Sequence, residues 1–284
     1  MNFNRDKLFL KVVDHSVSKE SFDLYHDLKY DVLFTTPQPP IELLSKYYES
    51  ADYISHTDGR RTLFEYSYHL IKSYSLRSKL KIINSIFPDK GNLLDIGAGT
   101  GDFVNIAKKN GWNATGTEPD AGAAEIAKSK ELDLAKESSE FGAANFDVIT
   151  MWHVLEHVPD LEQQLIELKR LLKPNGRIIV AVPNFKSYDA EYYKEFWAAY
   201  DVPRHLSHFS KHSITKIFGD AAMDVVKVLP MKFDAFYVSL LSEKYKSGKM
   251  NLLNAVIVGM KSNFKARFNM NYSSLMYIIE NRNI

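Results

Sequence analysis

Two short stretches of this sequence carry the residues best suited to hold a ligand. The first is the run Asp95-Ile96-Gly97-Ala98-Gly99-Thr100-Gly101, placed where a predicted strand turns into a predicted helix. Glycines in such a turn let the backbone approach a ligand closely, because no side chain intervenes. The second is Glu118, at the carboxyl end of the next predicted strand. A carboxylate there can accept both hydroxyl groups of an adenosine ribose.

Two classes of adenosine-containing ligand, nicotinamide dinucleotides and a sulfonium nucleoside, are compatible with such a site. The glycines follow a Gly-x-Gly-x-Gly spacing, whereas dinucleotide sites typically have Gly-x-Gly-x-x-Gly. Asp95 precedes the first glycine by two residues, and a carboxylate suits a cationic group better than a pyrophosphate. The residues therefore favour the sulfonium ligand, with a nicotinamide cofactor as the alternative.

Four histidines are candidates for proton transfer, because imidazole titrates near neutral pH. His205 and His208 follow the fifth predicted strand, at the edge of the sheet where a substrate would sit. His153 and His157 follow the fourth predicted strand and are the alternatives. We expect His205 to be the base.

Three further residues are candidates for holding a substrate. Arg204 is expected to bind an anionic group beside His205, and the alternative is a surface ion pair with Asp201. His208 and Tyr237 are expected to contact the acceptor. A helical insertion at about 235–262 contains Tyr237 and would roof the acceptor pocket; ordinary core packing and a homodimer seam are its alternative roles.

The elements that must position these residues are strands alternating with helices, which predict a doubly wound α/β sheet of the Rossmann-like type. We expect a mostly parallel, seven-stranded sheet with an antiparallel edge strand. The predicted strands lie near Asn92–Ile96, Ala114–Glu118, Leu132–Ala135, Phe146–Trp152, Arg177–Pro183, Val225–Leu229 and Ser274–Ile279. The domain prediction is a β and aromatic extension over 1–59, a helical cap over 60–90, and the Rossmann-like domain over 91–284.

Composition excludes several classes of function. The 284 residues include 36 Lys and Arg against 35 Asp and Glu, so we expect no large single-sign field that could bind nucleic acid or an anionic membrane. The absence of cysteine excludes disulfides, thiolate nucleophiles and cysteine-ligated zinc. The start of the chain lacks the apolar core of a signal peptide, and no apolar run is long enough to span a bilayer. These features predict a cytoplasmic protein.

The motifs together resemble the class I S-adenosylmethionine-dependent methyltransferases. The runs that carry this resemblance occur in the order typical of that family: Leu93–Gly101, Gly116–Pro119, Phe146–Ile149, His153–Val158 and Leu172–Gly176. The resemblance implies that S-adenosylmethionine is the cofactor, with its methionine part held by the glycine loop and Asp95 and its ribose held by Glu118.

The same resemblance implies that Trp152 and His153 face the methyl end of the cofactor. Tyr53 is expected to help enclose the charged sulfur through cation–π attraction. The full predicted cofactor set is Asp95, Gly97, Ala98, Gly99, Gly101, Glu118, Pro119, Trp152, His153 and Tyr53.

Two outer segments, Pro203–Ser210 and Tyr47–His56, resemble a bacterial group that includes ubiquinone-biosynthesis-like methyltransferases. Glu156-His157 is also similar to quinone O-methyltransferases in which acidic residues and a histidine hold a divalent ion. Here His153 takes a position that is acidic in those enzymes, so we expect no catalytic metal.

The function implied by the resemblance is methyl transfer to a small or carrier-linked acceptor, at oxygen. A protein that binds S-adenosylmethionine without transferring its methyl group, and a nicotinamide-dependent oxidoreductase, are the alternative hypotheses.

Overall fold

The computed structural model describes residues 1–40, 43, 45–47 and 63–282. The described helices of six or more residues are α1 Leu63–Ile86, α2 Asp102–Lys109, α3 Ala121–Ser129, α4 Leu161–Leu171, α5 Tyr188–Tyr193, α6 Lys211–Asp220, α7 Asp234–Ser247 and α8 Leu252–Asn269. The strands are β1 Lys7–Val13, β2 Ser21–Asp27, β3 Val32–Thr36, β4 Asn92–Ile96, β5 Asn113–Thr117, β6 Phe146–Trp152, β7 Leu172–Pro183, β8 Ser207–His208, β9 Met223–Met231 and β10 Ser274–Asn281. Tyr53 lies outside the described residues.

A sheet in the order β5-β4-β6-β7-β10-β9 confirms the predicted α/β class and its mostly parallel character. β4 pairs in parallel with both β5 and β6. Leu93, Leu94, Val148 and Ile149 in these strands are fully buried. Side chains on both faces of the strands are therefore covered, which explains why the sequence shows continuous apolar runs rather than alternation.

The prediction of seven strands was wrong, because this sheet has six. The expected strand near Leu132–Ala135 is reduced to a single parallel bridge between Thr117 and Ala135. Ala135 donates its amide to the Gly116 carbonyl and accepts from the Glu118 amide. The next amide on this side of the chain after Glu118 is that of Asp120, and it donates to the Glu118 carboxylate at 2.9 Å, so the pairing goes no further.

A second, antiparallel sheet in the order β1-β2-β3-β8 forms from the N-terminal strands and one short later strand. Its inward side chains, including Leu24 and Leu33, belong to a cluster with Trp197, Tyr193 and Tyr200, all of them buried. The alternating pattern of the first residues therefore reflects a sheet with one covered face.

Two compact units are distinguished by the density of contacts along the chain. One comprises 1–55, 153–162 and 180–279, and the other comprises 56–152, 163–179 and 280–284. The first, which we call the mixed unit, contains the antiparallel sheet, α7 and α8. The second, which we call the loop unit, contains β4, β5, β6 and the glycine loop. The three-part domain division predicted above stays a prediction.

Within the described residues, no helix is both long and apolar enough to cross a membrane.

Candidate functional site

The glycine loop lies directly after β4 in the loop unit. Gly97, Gly99 and Gly101 have φ values of 67°, 54° and 76°, in the left-handed region that side chains with a Cβ avoid. The Ala98 amide donates to the Thr117 carbonyl at 2.8 Å, and the Gly101 amide donates to the Ala98 carbonyl at 3.0 Å. The loop is therefore a fixed turn whose backbone favours glycine at these three positions.

Glu118 is held in place by this loop. One carboxylate oxygen accepts the Gly99 amide at 2.7 Å, and the other accepts the Asp120 amide at 2.9 Å. Burial raises the pKa of Glu118, while these two amides oppose the shift. Each oxygen has a second lone pair, so the carboxylate can still accept two hydroxyl groups. Pro119 follows without an N–H and cannot compete for it.

Asp95, the fourth residue of β4, is a buried carboxyl group. The Thr150 hydroxyl donates to it at 2.6 Å. Burial raises the pKa of Asp95 to about 7; the Thr150 hydrogen bond and the charge of Lys79 oppose the rise, and the charge of Glu118 adds to it. A carboxyl group in this state gains most from a ligand that brings a positive charge, because the charge favours ionisation.

Trp152, the last residue of β6, presents an aromatic face to a cation. The Lys79 ammonium lies 4.5 Å from the centre of its ring, and the Phe103 ring meets its edge at 5.2 Å. The indole nitrogen is buried and has no hydrogen-bond partner among the described residues. An indole face that already attracts an ammonium suits a sulfonium as well.

These features fit a cationic adenosine nucleoside better than a pyrophosphate. A Cβ built at Gly99 meets no atom within 4 Å, so the loop leaves open space for a ligand. Asp95 and Glu118 stand beside it, and the first residue of α2 is Asp102, which pairs with Lys72 and Lys130 at 2.7 and 2.8 Å. Carboxylates at a helix N-terminus oppose the phosphate binding that dinucleotide sites depend on.

His153 lies in the mixed unit and forms the centre of a charged triad. Its Nδ1 lies 3.3 Å from Glu156 Oε1, and its Nε2 lies 3.3 Å from Asp234 Oδ2. Burial lowers the pKa of His153, but the contacts with Asp234 and Glu156 outweigh it and raise the pKa to about 9. His153 is therefore a cation at neutral pH.

Glu156 is buried, and neither of its carboxylate oxygens accepts a hydrogen bond from a described residue. Burial would raise its pKa, but His153, His205 and His157 together hold the pKa of Glu156 below its ordinary value. The imidazolium of His153 supplies the positive charge that a buried carboxylate requires.

His157 and His205 lie side by side near Glu156, with ring centres 4.6 Å apart. Nδ1 of His157 contacts the Arg204 carbonyl at 3.0 Å, and Nδ1 of His205 contacts the Ala199 carbonyl at 2.9 Å. Because a carbonyl only accepts, each Nδ1 carries the proton and each Nε2 keeps its lone pair when the ring is neutral. Burial, together with the charge of His205, lowers the pKa of His157 to about 4.

One group of side chains has the composition of a metal site. Ligand atoms of Glu156, His157 and His205 all lie within 4.8 Å of one another. A carboxylate with two imidazoles is a donor set that divalent transition metals use. The His153 imidazolium already balances Glu156, so the charge of this group does not require an ion. The absence of a catalytic metal stays a prediction.

Arg204 is buried and makes five hydrogen bonds within the protein. Its guanidinium donates to both oxygens of Asp201 at 3.0 and 2.6 Å, to the Tyr47 carbonyl at 2.6 Å, to Asp14 at 3.3 Å and to the Ser16 hydroxyl. The Asp201 pair, expected as the alternative to anion binding, is present, but it is buried rather than on the surface. These contacts occupy the donors that an anionic substrate would need.

Asp14 and Asp234 were missed by the sequence analysis. Asp14 accepts the amides of Ser16, Val17 and Ser18, and burial would raise its pKa, but these bonds and Arg204 lower the pKa to about 2. The spacing of an aspartate before two nearby serines is a turn signal that could have identified it. No local pattern marks Asp234 as a partner of His153.

His208 and Tyr237, the other expected substrate residues, have different surroundings. His208 lies in β8, is buried, and its Nε2 contacts the Thr35 hydroxyl at 3.0 Å. Burial lowers the pKa of His208. The Thr35 hydroxyl donates its proton to the His205 carbonyl, so it accepts a hydrogen bond from His208. This hydrogen bond links β3 to β8. Tyr237 is 52% exposed on α7.

Replacing Asp234 by asparagine removes one of the two carboxylates that stabilise protonated His153. We expect the pKa of His153 to fall, as measured by an NMR titration of its imidazole signals. Its folded-state pKa of about 9 lies above the ordinary 6.5, so the stabilisation is complete below pH 6.5 and is lost as the pH rises through about 9. The variant should lose free energy of unfolding near neutral pH and approach the wild type above pH 9.

Asp133→Asn, at an exposed aspartate of the loop unit, is the matched control and should leave the titration unchanged. An identical His153 titration in the Asp234 variant and the wild type would contradict the stabilisation of protonated His153 by Asp234.

Comparison with known proteins places these features in a family. A family model described as a methyltransferase domain matches residues 68–228. Ubiquinone biosynthesis O-methyltransferase of Coxiella burnetii is 30% identical over 122 residues, which cover 39% of this chain and 52% of that protein. The enzyme of the same name from Actinobacillus pleuropneumoniae is 32% identical over 130 residues, covering 41% of this chain and 55% of that protein. The chain thus spans about half the length of these curated relatives.

Solved structures show a similar fold at low sequence identity. Magnesium protoporphyrin IX methyltransferase from Synechocystis, with bound S-adenosylhomocysteine, has a TM-score of 0.55 and 13% identity over 85% of this chain and all of that chain (100%). Phosphoethanolamine N-methyltransferase 2 of Haemonchus contortus has a TM-score of 0.56 and 13% identity over 96% of this chain and 71% of that chain. The chain belongs to the methyltransferase-domain family, and the resemblance of its motifs to the class I S-adenosylmethionine-dependent methyltransferases is confirmed.

Proposed function

We propose that this protein transfers a methyl group from S-adenosylmethionine to an oxygen atom of a small or carrier-linked acceptor. The observation that carries the proposal is the pair of carboxyl groups beside the glycine loop: Glu118, fixed by the Gly99 amide, and the buried Asp95. A ligand that offers two hydroxyl groups and a cationic amino-acid end matches both. The family membership and the relatives named as O-methyltransferases support the reaction class and the acceptor atom.

Three residues of the loop unit would each bind a different part of the cofactor. Glu118 would accept the ribose hydroxyls, and Asp95 would face the ammonium of the methionine part. Trp152 would lie against the cationic sulfur with its ring face. When bound, the cofactor supplies an activated methyl group, so the protein must supply alignment and exclusion of water. Alignment of two reactants lowers such barriers by roughly 7–11 kcal/mol in favourable cases.

The base that we propose for the acceptor hydroxyl is His205, with His157 as its alternative. Both rings carry a proton on Nδ1, directed at a carbonyl, which leaves Nε2 free of a proton in the neutral form. His153 is protonated at neutral pH and cannot accept a proton. We assign it a positioning role, in which its positive charge compensates the carboxylates of Glu156 and Asp234.

Glu118→Ala removes the carboxylate proposed to accept the ribose hydroxyls. We expect S-adenosylhomocysteine to bind about ten- to a hundredfold more weakly, since hydrogen bonds to a charged group contribute about 1.5–3 kcal/mol. Isothermal titration calorimetry measures this change. Glu125→Ala, on the exposed face of α3, is the matched control and should bind as the wild type does.

Titration of the wild type with NADH in the same cell tests the alternative cofactor. Binding of NADH in place of S-adenosylhomocysteine would contradict the proposal, as would an unchanged affinity in the Glu118 variant.

The variant His205→Ala distinguishes an enzyme from a protein that only binds the cofactor. We expect the variant to bind S-adenosylhomocysteine with wild-type affinity but to form it from S-adenosylmethionine about 10²- to 10⁴-fold more slowly, the usual range for loss of a general base. The assay uses a panel of phenolic, sugar and carrier-linked hydroxyl acceptors.

His212→Ala, at an exposed histidine of α6, is the control for loss of an imidazole elsewhere. Equal turnover in the His205 variant and the wild type would exclude His205 as the base. No turnover by the wild type with any acceptor would favour the non-catalytic binding protein.

A further inference from the structure

Helix α8 carries its largest apolar side chains on the outside. The side chains it buries are small or medium in size: Ala255, Val258, Gly259, Ser262 and Ala266. The exposed apolar side chains are larger: Leu252, Leu253, Val256, Ile257, Met260, Phe264 and Phe268. Phe268 is 81% exposed and Leu253 is 73% exposed. In an ordinary surface helix, this distribution is reversed.

Close packing against α7 explains the small inner residues. A Cβ built on Gly259 would stand 2.7 Å from the Phe236 ring, so only glycine allows the two helices to come this near. The Asn263 side chain donates to the Lys232 carbonyl at 2.8 Å, just before α7 begins. The orientation of α8 is therefore fixed by its inner face, and the outer face is exposed as a consequence.

The exposed apolar side chains lie on one side of the helix, which we call the outer face of α8. At 3.6 residues per turn, the seven positions lie within an arc of about 160° around the helix axis, and the exposed Arg267 lies inside this arc near the C-terminal end of α8. Phe264 and Phe268 contact each other on it, with ring centres 5.6 Å apart. Such a face is too wide and too apolar to be the scatter of single apolar residues that any surface shows.

The charged residues of the segment that contains α8 have one sign. Residues 244–269 contain Lys244, Lys246, Lys249, Lys261, Lys265 and Arg267 and no aspartate or glutamate. The whole chain, in contrast, has 36 basic and 35 acidic residues. All of these cations except Lys244 are exposed. The apolar face therefore lies within a strongly cationic segment of a chain that is otherwise nearly neutral.

We propose that α8 lies in the surface of an anionic lipid bilayer, with its outer face among the acyl chains and its cations near the lipid phosphates. A wide apolar face in a segment with many Lys and Arg residues and no acid is the pattern of helices that lie in the membrane interface. Each cation near an anionic surface contributes to binding, and aromatic side chains on the apolar face add buried area. The proposal stands on α7 and α8 and does not depend on methyl transfer.

A second copy of the chain is the other occupant to consider. In a symmetric dimer the same face meets itself, so the cations around one outer face would approach those around the other. No acidic residue in 244–269 is available to compensate them. The charge therefore favours an anionic lipid surface over self-association through this face.

The test is sedimentation of the full chain with phosphatidylcholine vesicles that contain or lack phosphatidylglycerol. We expect the wild type to bind the anionic vesicles more tightly than the neutral ones, and more weakly as salt is added. The double variant Phe264→Ser/Phe268→Ser should lose at least about tenfold in affinity, because two large apolar side chains no longer enter the bilayer. Lys249→Gln/Lys261→Gln should lose affinity on the order of tenfold, for anionic vesicles only.

Matched controls remove the same chemistry elsewhere. Ile166→Ser replaces an exposed apolar residue of α4, and Lys108→Gln/Lys109→Gln neutralises two exposed lysines of α2. Both should bind as the wild type does, and circular dichroism should show the same helix content in every variant. The proposal is overturned if the wild type binds neither vesicle, if the phenylalanine variant binds unchanged, or if the controls lose as much. It is also overturned if the protein is a dimer that the phenylalanine variant converts to a monomer.

Discussion

A carboxyl group withdrawn from water at the end of a parallel strand is the constraint on which this account depends. Asp95 is buried, and one hydroxyl, that of Thr150, supports it. Its pKa of about 7 reflects the cost of keeping a charge in that place. A cationic ligand group lowers this cost, whereas a phosphate raises it. The choice of ligand class therefore follows from the surroundings of one side chain.

Glu118 converts that preference into a site of defined shape. Its two oxygens accept amides from the glycine loop and from the start of α3, so the loop and the carboxylate fix each other. The left-handed glycines are needed for the same reason, since the loop must turn toward Glu118 while leaving space at Gly99. In the mixed unit, a different electrostatic arrangement separates the histidines. His153 is held as a cation between Glu156 and Asp234, while burial keeps His157 and His208 neutral.

The features predicted well from the sequence are those encoded locally. The apolar runs predicted the strands of the parallel sheet. The glycine spacing, together with Glu118, predicted the candidate cofactor residues, whose roles stay proposals. Features that depend on distant residues were missed. Asp14 contacts Arg204 across 190 positions of sequence, and the Asp234 contact with His153 has no periodic signal. The prediction of a seventh strand was wrong because the apolar pattern near Leu132 does not show that only Ala135 pairs with Thr117 of β5. The helical insertion was expected, but its reversed apolar face depends on how closely α8 packs on α7.

The most direct test of the central claim is whether Asp95 releases a proton when the cofactor product binds. Calorimetric titration of S-adenosylhomocysteine near pH 6.5, in buffers of different ionisation enthalpy, counts the protons that are exchanged. The account predicts that the wild type releases a proton, that its affinity weakens as the pH falls below about 7, and that Asp95→Asn shows neither effect. Binding with no proton release in the wild type, or the same release in the asparagine variant, would contradict the account.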